Sequence, residues 1–297
     1  MSYLPILSSN IPSFVELKNG KVRIKAKTVL DYTYGNTLPS GNFDDILENI
    51  IQHVYHSADR LGLPRPTGGG INNSRGMWFE YILGAISWNL FANHPKTQKG
   101  GIIKLPSSKG LYFIDLFEPD ARMALQTGLF RTLAQKNITM TMSNPDFVAV
   151  DDLDPNAVAM LKQPILNLNY ANQTRISTAS NLIKDQIQYN GIKFGLSAKT
   201  SIRPDRRYQT IYEGNILKAL VAHLQVRFWD TSSSTGFYVV VADSVNDSDR
   251  NVFSAPATHS IVDVHSEPVP SVDGVFLIKT TDQFEHYLNQ MIDECYI

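Results

Sequence analysis

The chain has 297 residues, 43% hydrophobic and 19% charged, with a formal net charge of −1. Its single cysteine, Cys295, excludes an internal disulfide framework and a cysteine-built zinc site. A near-neutral charge argues against coating nucleic acid without preference, which is mostly electrostatic binding. No apolar run approaches the roughly 20 residues of a membrane span, and Met1-Ser2-Tyr3-Leu4-Pro5 lacks the basic and apolar regions of a signal peptide, so a cytosolic chain with no membrane partner is expected.

Residues 1–40 read as irregular, with short strand-like pieces such as Val22-Arg23-Ile24. Phe43, Ile46, Leu47, Ile50, Ile51 and Val54 fall at helical spacing and predict an amphipathic helix over 42–61. Pro64 and Pro66 end it, and Gly68-Gly69-Gly70 reads as a flexible loop without the lysine of a phosphate-binding loop. A second helix is predicted from about Ser74 to Ala92, with Trp78, Tyr81, Ile82, Ala85 and Trp88 on its apolar face. Its other stripe is Asn73, Met77, Glu80, Gly84 and Ser87. A lone glutamate on a helix is ordinarily solvated; the sharper reading makes that stripe the wall of a site, with Glu80 an auxiliary carboxylate.

Strands are predicted at 102–104 and 111–115, a helix over 119–136, and a buried strand at Phe147–Val150. Residues 156–190 read as helical and polar, 191–200 as a strand, and Glu213 to Trp229 as a strong helix headed by Glu213. Tyr238–Ala242 and 275–279 complete the strands, and Asp282 with Glu285 reads as a capping box for a C-terminal helix. Interleaved strands and helices predict an α/β fold, a central mixed sheet flanked by helices. The organisation is one unit over 1–297, with room for a smaller N-terminal lobe over about 1–75.

Chemistry concentrates in residues 193–213. Side chains alternate along a strand, so Ser197 and Lys199 share a face. If the 146–150 strand is the neighbour, Asp146 meets Lys199 at one sheet edge, and Glu213 reaches the same point. Two carboxylates suit magnesium, which keeps waters and binds substrate phosphate, and a lysine stabilises charge on that phosphate. An inert internal ion network is the bland alternative. Between the acids, Arg203, Asp205, Arg206 and Arg207 carry the donors and acceptor that read G·C pairs in a major groove. A surface ion cluster is the alternative there. The seven histidines show no metal-ligand spacing.

The order Ser143-Asn144-Pro145-Asp146-Phe147, Ser197-Ala198-Lys199-Thr200, Arg203-Pro204-Asp205-Arg206-Arg207 and Tyr212-Glu213-Gly214 resembles the CCGG family of type II restriction endonucleases. It is most similar to the tetrameric type IIF members that cut purine-CCGG-pyrimidine. The resemblance runs from about Trp78 through Leu217-Lys218-Ala219-Leu220, His223-Leu224-Gln225, Arg227, Trp229 and Ala257-Thr258-His259-Ser260. It implies a restriction-endonuclease-like PD-(D/E)xK fold in which a serine replaces the second acid and a glutamate from the next helix substitutes for it. Ser197 and Glu213 match that rearrangement. By resemblance, Asp146 and Glu213 bind Mg²⁺, Lys199 is the catalytic lysine and Glu80 an additional acid. Arg203, Asp205 and Arg206 read the CCGG core, with Arg207 and Asn73 as further DNA contacts. The resemblance also implies a bacterial cytoplasmic enzyme that leaves 5′-CCGG overhangs on double-stranded DNA. It implies a homodimer assembling to a homotetramer, with interfaces near Arg227, Trp229 and Asp263, and a cognate DNA methyltransferase in the same cell. The rivals are a repair or junction nuclease of the same fold, and a DNA-binding regulator that never cuts.

Overall fold

A computed structural model describes residues 12–106, 110–230, 234–262 and 267–296. The described part of residues 1–40 is more regular than expected. Strands β1 (Val15–Lys18) and β2 (Lys21–Ile24) form a hairpin, followed by helix α1 (Ala26–Tyr34). Asn19 and Gly20 turn the hairpin with φ of 53° and 72°, the left-handed pair that an Asn-Gly step adopts readily.

Helix α2 (Phe43–Arg60) forms where the periodicity predicts it, capped by the Asn42 side chain. Helix α3 (Gly68–Asn93) starts six residues before the predicted Ser74. Gly68-Gly69-Gly70 is therefore helix, not loop: Thr67 accepts from the Gly70 N–H at 3.3 Å and caps the turn. A good N-cap is worth about 1 kcal/mol and offsets part of the cost of glycine in a helix.

Strand β3 (Gly101–Lys104) follows. Residues 111–115 do not make a strand; Phe113–Leu116 is a 3₁₀ turn. Side chains take the N–H groups a strand would pair, with Asp115 accepting from Tyr112 and Asn144 from Phe113. The predicted helix over 119–136 is present as α4 (Pro119–Ala124), a π-helical turn (Leu125–Phe130) and α5 (Arg131–Gln135). Strand β4 (Phe147–Val150) is as predicted. The polar 156–190 stretch splits into α6 (Pro155–Leu161) and α7 (Tyr170–Leu182), with Pro164 in the break.

Strand β5 (Ile192–Lys199) leads into α8 (Pro204–Phe228), which begins nine residues before Glu213. Pro204 suits the first helical position, and the turns after it are mostly polar, so apolar periodicity does not reveal them. The chain continues through β6 (Gly236–Val241), α9 (Asp247–Phe253), α10 (Thr258–Val262), β7 (Gly274–Leu277) and α11 (Thr281–Cys295). Thr280, accepting from the Gln283 N–H, caps α11 in place of the predicted Asp282–Glu285 box. Among the described residues no helix is long and apolar enough to cross a membrane.

The fold is α/β, as expected, with a five-stranded mixed sheet ordered β3-β4-β5-β6-β7. β3, β4 and β5 pair antiparallel, and β5, β6 and β7 pair parallel. Phe194 of β5 contacts Phe91 of α3, whereas a Cβ on Gly195 would lie 2.7 Å from Leu217 of α8. Neighbouring residues of a strand face opposite ways, so α3 and α8 cover opposite faces.

Gly214 sets how closely α8 sits on the sheet. A Cβ there would lie 2.2 Å from the Ser271 carbonyl oxygen and 2.9 Å from the Phe237 ring. Alanine improves helix propensity by about 1 kcal/mol, but this clash forces backbone apart. We expect Gly214→Ala to lose about 1–3 kcal/mol of stability by chemical denaturation and to displace Glu213. An unchanged midpoint would refute the close-packing role.

Candidate active site

The β4–β5 register pairs Phe147 with Leu196, which sets Asp146 beside the last residues of β5. One oxygen of Asp146, Oδ2, accepts from the Ala198 N–H at 2.7 Å, Lys199 Nζ at 3.0 Å and Ser197 Oγ at 3.4 Å. Glu213 comes from the third turn of α8 and is 2% exposed. Its Oε2 accepts from Ser197 Oγ at 3.2 Å, and its Oε1 from Ser143 Oγ at 3.2 Å and Gln209 Nε2 at 2.9 Å. Ser197 thus bridges the two acids while adding no charge. Glu80, on the polar stripe of α3, pairs with Lys104 of β3 at 2.7 Å.

These groups are electrostatically linked. Burial raises the pKa of Glu80, and the charge of Asp146 adds to it against relief from Lys104 and Lys199. Burial likewise raises Glu213, with Asp146 adding to it and Lys199 opposing it. Burial alone lowers the Lys199 ammonium, but Asp146, Glu213 and Glu80 outweigh it and hold the lysine charged.

The cluster lines a cleft of about 1200 Å³. Arg203, Arg206 and Asn73 line the same cleft. Arg203 and Asp205 form an exposed pair at 3.3 Å, and such pairs contribute little, so both groups are cheap to redirect. Arg207 is engaged differently: its Nε lies 2.6 Å from Oδ1 of buried Asp249 in α9. It pins α8 to α9 and is not among the residues lining the cleft.

Spacing did not reveal four contributors. Lys104 is one of several lysines with no motif. Asn144 locks the loop before Asp146 by accepting from Phe113 N–H and donating to the Pro106 and Leu111 carbonyls. Ser143 and Gln209 hold Glu213. Asn144 and Ser143 sit inside the resembling motif; Gln209 carries only its i, i+4 spacing to Glu213 as a signal.

The donor set fits Mg²⁺. Asp146 and Glu213 offer two hard oxygens at one point, and a cation would discharge acids already crowded by burial and like charge. Mg²⁺ takes one or two protein carboxylates and completes its shell with water and phosphate. Among the described residues no three acidic, histidine or cysteine groups form a cage of their own.

Residues 8–294 match the family model described as Cfr10I/Bse634I restriction endonuclease. The chain belongs to this family. It is 30% identical over 256 residues to the type II restriction enzyme Cfr10I of Citrobacter freundii, covering 84% of this chain and 87% of that enzyme. The type IIF restriction endonuclease Bse634I, solved with its cognate DNA, superposes with a TM-score of 0.87 at 30% identity. That match covers 94% of this chain and 96% of Bse634I. A second Bse634I structure gives a TM-score of 0.85. This Cfr10I/Bse634I relative is therefore a type II restriction endonuclease, a site-specific deoxyribonuclease. The family match covers nearly the whole chain, well beyond the motifs from Trp78 onward, and it sets aside the regulator that never cuts.

The raised Glu213 carries a stability consequence. The folded chain keeps this proton to higher pH than the unfolded chain, so stability falls as pH rises above the ordinary glutamate range. In metal-free buffer, Glu213→Gln should melt above the wild type at pH 8, with the gain vanishing near pH 4. Cleavage should drop at least 100-fold. A lower melting temperature at pH 8 would contradict the electrostatic account.

Proposed function

We propose that the protein hydrolyses double-stranded DNA in a Mg²⁺-dependent reaction at palindromes with a CCGG core, purine-CCGG-pyrimidine, leaving 5′-CCGG overhangs. The observation that carries the reading is the joining of Asp146, Lys199, Glu213 and Glu80 to Arg203 and Arg206 in one cleft. Asp146 and Glu213 would hold the metal. When bound, Mg²⁺ polarises a phosphoryl oxygen and lowers the pKa of water.

The chain's own residues do the rest. Lys199, kept charged by its carboxylates, faces the phosphate and stabilises charge as it develops. Ser197 keeps the two acids from drifting apart without adding to their repulsion. Glu80, paired with Lys104 and lining the same cleft, would act as a further acid. Water attacks phosphorus in line, the bond to O3′ breaks, and the products are a 5′-phosphate and a 3′-hydroxyl.

Arginine donates in pairs to guanine O6 and N7, and aspartate accepts from cytosine N4. Arg203 and Arg206, which line the cleft, would supply that complement to G·C pairs together with Asp205, paired with Arg203 beside it. Arg207, bound to Asp249, sets the orientation of α8 under them. Asn73, exposed on the α3 wall of the cleft, would make a further DNA contact.

A palindromic site calls for two-fold assembly. The end of α8 offers apolar surface for it: Val226 and Trp229 are 71% and 95% exposed, beside Arg227 and Phe228. Two dimers back to back are the assembly proposed; Asp263 lies outside the described residues. Each chain is proposed to act as one catalytic and DNA-binding unit, in a bacterial cytoplasm protected by a cognate DNA methyltransferase.

Plasmid digestion with Mg²⁺, followed by sequencing of the ends, tests the specificity: every cut should fall before the first C of CCGG. Chelation of the metal should abolish cutting. Lys199→Ala should slow single-turnover cleavage at least 1000-fold with DNA binding nearly intact, and a normal rate would refute the mechanism. A plasmid with two sites should be cut faster than one with a single site; equal rates would count against the tetramer.

A further inference from the structure

Arg206, Gln209 and Glu213 stand at i, i+3 and i+7 on α8, along one stripe of the helix. Arg206 Nη1 donates to Gln209 Oε1 at 3.2 Å, and Gln209 Nε2 donates to Glu213 Oε1 at 2.9 Å. Only one orientation of the amide serves both neighbours, because guanidinium only donates and carboxylate only accepts. Of the three hydrogen-bond partners of Glu213 among the described residues, Gln209 is the one that also touches an arginine of the cleft.

We propose that Gln209 is a positioning residue that makes the aim of Glu213 depend on where Arg206 is. The inference rests on the reading of the cleft as a nuclease site. While Arg206 lies on the amide oxygen, the amide is locked and its NH₂ holds Glu213 Oε1. When Arg206 turns to a base edge, the oxygen loses its donor, the amide rotates, and Glu213 Oε1 is left with Ser143 as its one remaining donor among the described residues, which lets that oxygen re-aim toward the reacting phosphate while Ser197 keeps Oε2. A base that fails to draw Arg206 away leaves the carboxylate held. The relay therefore favours cleavage at correct sites over merely bound ones.

The test uses Gln209→Met in the full chain. Gln209 is exposed and methionine is a strong helix former, so folding is spared. Affinity is measured with Ca²⁺ in place of Mg²⁺, and single-turnover cleavage with Mg²⁺. Substrates are the site mapped for the wild type and the same site with one core pair changed. Affinity for the correct site should stay within about 3-fold. The cleavage ratio of correct to altered site should fall about 10-fold, because the amide no longer restrains Glu213 Oε1 in either complex. That loss should disappear when Gln209→Met is made in an Arg206→Ala protein, since the two share one path. An unchanged ratio, or equal slowing on both substrates, overturns the proposal, as does an effect that persists without Arg206. Absence of wild-type cleavage would instead fault the nuclease reading.

Discussion

The site hangs on one carboxylate oxygen. Asp146 Oδ2 gathers a backbone N–H, an ammonium and a hydroxyl from three successive residues of β5. Antiparallel pairing of β4 with β5 makes this possible, since it sets the residue before β4 beside the end of β5. Behind it, Asn144 fastens the preceding loop to Pro106, Leu111 and Phe113. Asp146 is held from both sides.

That anchor carries an electrostatic load. Glu80 and Glu213 are drawn into the same partly dry cleft, where burial and the charge of Asp146 oppose their ionisation. Lys199 and Lys104 relieve part of this, and a divalent cation would relieve more. Unfavourable crowding of like charges is typical of sites shaped for chemistry, where stability yields to function. Serine at position 197 fits this balance: it reaches both acids and contributes no further negative charge.

One short connection sets the geometry of reading and cutting. Lys199 ends β5, and α8 begins at Pro204. The first turn of α8 presents Asp205 and Arg206, and Glu213 follows two turns deeper, about 10 Å along the axis from Arg206. Gly195 and Gly214 leave the room that lets α8 press on the sheet until Glu213 meets Ser197. Arg207, on the far side of the same turn, is tied to Asp249 and keeps the helix from rolling.

Much of this was legible in the sequence. Apolar periodicity gave α2, the body of α3, β4, β5 and β6, because burial repeats at the period of each element. Motif order linked Asp146, Ser197, Lys199 and Glu213 as one group. Local contacts that leave no apolar period were missed: the Thr67 cap that folds three glycines into α3, the Asn144 acceptor that bends 113–116, and the polar first turns of α8. The residue types alone determined that the chain carries acids, a lysine and arginines suited to a phosphodiester. Only tertiary structure decided that Lys104 neutralises Glu80, that Arg207 belongs to Asp249, and that Gln209 joins Arg206 to Glu213. Charge and hydrogen bonding act over a few ångströms of space, and separation along the chain does not set those distances.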